Sequence, residues 1–133
     1  MEFNRVKNEI LGKDYSLSIA FVDAKKSREI NKKYRNKDKP TDILSFALSK
    51  NTGELILCKE IIKRELKKFN RTFRQFLGFL VIHGMLHLKG MEHSSRMERA
   101  EAKYDQKYFY RNRRGVVHDA SCGRRIFKRR KKS

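Results

Sequence analysis

The sequence predicts one small domain in which a short β-sheet packs against helices. Three observations predict it. Residues 15–22, 41–48 and 54–58 are short apolar runs bounded by polar or turn residues, as strands are. Stretches with helical spacing lie before, between and after them. Residues 73–88 are apolar on nearly every side, which suits a helix buried at the centre of a domain. A chain of 133 residues fits one such domain.

Residues 2–11 place Phe3, Val6, Ile10 and Leu11 at near-helical spacing, and Gly12-Lys13-Asp14 ends that helix. In residues 15–22, Tyr15, Leu17, Ile19 and Phe21 alternate with smaller residues, which predicts a strand with one well-buried face. Asp23 is placed to cap a helix over residues 24–34, with Ile30 and Tyr34 as its inward contacts. A polar loop, residues 35–40, follows. Residues 41–48 are apolar on both faces, which predicts a strand inside a sheet. The turn Asn51-Thr52-Gly53 makes a hairpin with residues 54–58. Residues 59–69 form an amphipathic helix with Ile61, Ile62, Leu66 and Phe69 inward. Thr72 can cap the apolar helix, and Ser94 or Ser95 can cap a last helix reaching about residue 110. That last helix has Met97, Ala100, Tyr104 and Tyr108 on its apolar side.

The central helix carries chemistry. Residues 83–93 read HGMLHLKGMEH, with histidines at relative positions 0, 4 and 10. A helix turns about every 3.6 residues, so His83 and His87 project from one face. Gly90 can take the left-handed conformation that ends a helix and reverses the chain. His93 can then return to the other two. Three converging imidazoles make a metal site with an open fourth position, the pattern of catalytic rather than structural sites. As packing residues, three buried imidazoles would need three separate hydrogen-bonding solutions. One divalent ion is expected, and three imidazoles suit zinc, nickel, cobalt or copper alike.

Composition bounds the partners. Lys and Arg number 34 against 15 Asp and Glu, a formal charge of +19. Such a charge favours polyanions, nucleic acid or an anionic membrane surface. No stretch has about 18 consecutive uncharged apolar residues, and the N-terminus lacks a signal-peptide core, so the expected compartment is the cytoplasm. Cys58 and Cys122 fall in no metal-ligand spacing and are expected to be reduced. Residues 111–133 hold ten Lys and Arg against one acid, Asp119. They read as a basic, disordered tail that either touches phosphate or is simply solvated. His118 lies there and receives no metal role. The domain proper is residues 1–110.

With these residues in view, the chain resembles the YbeY endoribonuclease family of ribosomal RNA maturation factors. His83, Gly84, Leu86, His87, Leu88, Gly90 and His93 match the family's H-G-x-L-H-L-x-G-Y-D-H motif, with Met91-Glu92 in place of Tyr-Asp. A second block, EINKKYRNKDKPTDILSFAL over residues 29–48, resembles the family's Leu-Asn-x-x-Tyr-Arg-x-Lys-Asp-x-Pro-Thr-Asp-Val-Leu-Ser-Phe-Pro stretch. Two blocks in the same order are more specific than either alone. The resemblance implies an α+β fold with a four-stranded mixed sheet, or three strands here because the N-terminal segment is shorter than usual. It implies one zinc-like ion on His83, His87 and His93, and single-strand-specific RNA cleavage. The substrates would be ribosomal RNA, at the 16S 3′ end, and ribosomes or small subunits under quality control. Arg35 matches the arginine of the family's Tyr-Arg motif, so Arg35 and His83 are the expected catalytic residues. A planar guanidinium can pair with phosphate oxygens.

Two other readings fit parts of the sequence. The 0, 4, 10 histidine spacing with a glycine at 7 is also that of metzincin peptidases, which use a glutamate directly after the first histidine as general base. Here that position is Gly84, which has no proton acceptor. A non-enzymatic ribosome-binding assembly factor with a structural metal would suit the charge equally well.

Overall fold

The computed structural model describes residues 3–109. Helix α1 (Phe3–Ile10) leads to strand β1 (Ser16–Val22), helix α2 (Ala24–Arg35), strands β2 (Ile43–Ser49) and β3 (Thr52–Cys58), and helices α3 (Lys59–Leu66), α4 (Phe73–Leu88) and α5 (Ser95–Tyr108). The fold is α+β with a three-stranded mixed sheet, the smaller of the two expected strand counts. The basic tail, Cys122 and His118 lie outside the described residues. Among the described residues, no helix is long and apolar enough to cross a membrane.

The sheet order is β1-β3-β2, with β1 parallel and β2 antiparallel to β3. The expected hairpin forms, but its turn is at Lys50 and Asn51, and Thr52 and Gly53 already pair as the start of β3. The expectation that residues 41–48 lie inside the sheet is corrected: β2 is an edge strand and β3 is central. Only the first two residues of β2, Ile43 and Leu44, are buried, and the strand then runs out into solvent. Two buried faces at one end of a strand reflect local cover, not neighbours on both edges. The single well-buried face expected of β1 is also weaker than its alternation suggests. Leu17 and Ile19 are half-buried and Phe21 is exposed, because β1 is the other edge.

Helix α4 lies on the face of the sheet that carries Leu55, Ile43 and Ser45. It can approach closely because Gly84 has no side chain: a Cβ there would sit 2.7 Å from Leu55 Cδ2 and 3.0 Å from Ile43 Cδ1. Phe76, Leu80, Val81, Ile82 and Met85 are fully buried, so the apolar girdle of α4 is the core. Thr72 starts this helix with a capping box, its hydroxyl accepting from Gln75 N while the Gln75 side chain accepts from Thr72 N. Its direction is therefore set at the first turn.

Helix α2 departs from its expected packing. Tyr34 is 61% exposed rather than inward, and Ile30 is half-buried. The buried face is polar: Ser27 and Asn31. Ser27 Oγ donates to Thr41 O and accepts from Thr41 N, and Asn31 Nδ2 donates to Lys39 O. This helix thus holds a loop by hydrogen bonds instead of burying an apolar stripe. Apolar spacing could not reveal that.

Candidate active site

His83 and His87 occupy the last two turns of α4, as their spacing predicts. The helix then ends as the glycine requires. Gly90 has φ of 102°, its N–H donates to His87 O, and Met91 N–H donates to Leu86 O. Ser94 is the cap of α5, its Oγ accepting from Met97 N and donating to Glu92 O. His93 therefore sits on a tight link between a rigid helix end and a rigid helix start. The link returns its ring to the other two, with ring centroids 5.5 Å from His83 and 4.7 Å from His87.

One donor atom from each of the three histidines lies within 4.8 Å of the others. His83 Nε2 and His87 Nε2 are 3.0 Å apart. Two nitrogens bonded to one tetrahedral zinc at 2.0–2.1 Å stand about 3.3–3.4 Å apart, so a small outward rotation of the rings accommodates an ion. The donor set fits a divalent metal.

A residue that the sequence reading missed orients His83, the first of the three histidines. Glu101 of α5 is buried and its Oε2 is hydrogen-bonded to His83 Nδ1. An ionised carboxylate only accepts, so the imidazole carries its proton on Nδ1 and turns the lone pair of Nε2 toward the site. Carboxylate–histidine pairs of this kind fix ring orientation and raise ligand basicity. A signal was present: Met97, Glu101, Tyr104 and Tyr108 share one helical face, so Glu101 is an acid inside an apolar stripe. Asp105 stands in the same stripe and pairs with Arg71 at 2.6 Å, both side chains buried.

His83 is 1% exposed, while His87 and His93 are half-buried, so the site is closed toward the core and open on one side. The open side is a cavity of about 480 Å³ lined by the three histidines, Arg35, Tyr34 and Phe46 among others. Arg35 is the last residue of α2, and the chain turns away at Asn36, which takes the left-handed conformation with φ of 59°. The tether between Asn31 and Lys39 and that between Ser27 and Thr41 then hold the following loop against the helix. The structure thus brings all four residues singled out in the sequence to one cavity: Arg35, His83, His87 and His93.

The YbeY family profile, described as Endoribonuclease YbeY, matches residues 2–112. The Endoribonuclease YbeY of Staphylococcus carnosus (strain TM300) is 36% identical, across 80% of this chain and 77% of that protein. The Endoribonuclease YbeY of Staphylococcus aureus (strain JH9) is 35% identical, across 76% and 74%. A solution structure of TM1509 from Thermotoga maritima superposes with a TM-score of 0.61 at 30% identity, covering 80% of this chain and 76% of that one. Motifs, fold and relatives agree, and the chain belongs to the YbeY endoribonuclease family.

Proposed function

We propose that this protein is a metal-dependent endoribonuclease that cuts single-stranded RNA. Its place would be cytoplasmic ribosomal RNA maturation, at the 16S 3′ end, and ribosome quality control. The observation that carries the reading is the meeting of Arg35 with three imidazoles in one cavity. His83, His87 and His93 would hold the ion, zinc first among the candidates. When bound, a divalent ion on neutral ligands supplies undiminished positive charge for polarising a phosphoryl oxygen and acidifying water. Glu101 keeps His83 in the tautomer that presents Nε2, so His83 contributes as a ligand and not as a proton carrier. The Arg35 guanidinium would grip the non-bridging oxygens of the scissile phosphate and orient it in the cavity. The chain's excess of cations would draw the RNA in.

The packing at Gly84 weighs further against the peptidase reading. That position faces Leu55 and Ile43 across the helix–sheet contact, so even a glutamate placed there would meet the sheet. The remaining alternative is a non-enzymatic ribosome-binding factor. Cleavage of a single-stranded RNA, with metal content measured in the same samples, separates the two. Arg35→Ala should cut on the order of 10²-fold more slowly with metal near one equivalent, the usual loss for one preorganised charge-stabilising group. His87→Ala should lose metal and cleavage together. Metal-loaded wild type that leaves RNA intact across several metals and pH values would favour the binding factor. Unchanged cleavage by Arg35→Ala would remove that residue from the mechanism.

A further inference from the structure

We infer that Tyr34 is a nucleobase-stacking platform beside the metal centre, with Phe46 as its fixed support. The inference rests on the RNA-cleaving reading and names what the same cavity does with the base next to the cut phosphate.

Four observations carry it. Tyr34 is 61% exposed although its ring is apolar, and the buried face of its helix is instead the polar one of Ser27 and Asn31. The ring is nevertheless held: Phe46 of β2 meets it in a T-shaped contact, with centroids 5.1 Å apart and planes at 70°. Both rings line the same cavity as Arg35 and the three histidines. The surroundings are cationic, since Arg35 follows in the chain and Lys33 Nζ lies 5.3 Å from the Tyr34 ring centroid.

An exposed aromatic with a fixed orientation, next to a phosphate-gripping arginine, matches one nucleotide. A nucleotide carries its phosphate and its base on the same sugar. With the phosphate at Arg35, the base can lie on the free part of the Tyr34 ring. Base–aromatic stacking tolerates every base, because each has a π-face. It does not tolerate a duplex, in which those faces are already covered by neighbouring base pairs. The platform therefore supplies a physical source for single-strand preference and predicts little sequence preference at that position.

Because the chain has no tryptophan, Tyr34→Trp creates a single reporter at the platform. The probe is a short 2′-O-methyl RNA single strand; a matching abasic sugar-phosphate strand and a blunt duplex serve as comparisons. Stacking predicts that the single strand quenches the tryptophan, while the abasic strand and the duplex do not. Tyr34→Leu should weaken single-strand binding roughly tenfold, a typical loss of one stacked base, and leave abasic binding unchanged. Tyr34→Phe should bind like wild type, since the ring is kept. Equal losses for the single and abasic strands, or no loss in Tyr34→Leu, would overturn the platform. So would quenching by the duplex equal to that by the single strand. The outcome is independent of turnover: a protein that binds and quenches but never cleaves would keep the platform and refute the nuclease.

Discussion

Glu101→Gln tests whether the buried face of α5 orients His83 for metal binding. Glutamine keeps the size and shape of glutamate but removes the charge. Glu101 and His83 are 3% and 1% exposed, so solvent cannot screen or replace the contact. A hydrogen bond to a charged group contributes about 1.5–3 kcal/mol, and a neutral one about 0.5–1.5 kcal/mol. The difference, about 1–1.5 kcal/mol, is roughly 5- to 15-fold in affinity. Loss of basicity at His83 Nε2 adds to it, and outer partners of metal ligands are typically worth about 10- to 100-fold. The expected result is zinc affinity reduced by about tenfold or somewhat more. Competition against a chromophoric chelator measures it, and thermal unfolding of the metal-free protein checks that the fold persists. If Glu101→Gln binds zinc as tightly as wild type while the fold is intact, the carboxylate does not orient the ligand.

Gly84→Ala pushes a methyl to 2.7 Å from Leu55 Cδ2 in a packed layer, and should cost about 1–3 kcal/mol, the usual cost of overpacking. Calorimetry should show a fall in melting temperature of several degrees, and an unchanged value would mean that the layer yields freely. Glu9, held by Lys107 first and by Tyr108 next, titrates below the ordinary glutamate range, so its contribution is present at neutral pH and lost as pH falls through that lowered value. Carboxyl-carbon NMR should place its midpoint below about 4.3, the unperturbed glutamate value; a midpoint at or above it would refute the α1–α5 link. Binding of single-stranded RNA should weaken steeply with salt. Deletion of residues 111–133 should reduce the log–log slope by about 0.7 for each phosphate that those residues neutralise, whereas an unchanged slope assigns them to solvent.

Much of this protein was determined by its sequence alone, wherever the physics is local. The i, i+4 histidines share a face because of helix geometry. Gly90 reverses the chain because it tolerates positive φ. Asp23, Thr72 and Ser94 start helices because their side chains can bond backbone N–H groups within the next turn. A helix apolar on all sides had no place but the core. Tertiary structure decided the rest. Which strand is central depends on pairings that cross the chain, so residues 41–48 looked interior and became an edge. The buried face of α2 is polar because the loop that it clamps lies beyond it, and Tyr34 is thereby turned outward. Glu101 reaches His83 across 18 positions, and Arg35 reaches the histidines from another helix. Only docking brings such residues together, because their contact energy exists only once the elements have packed.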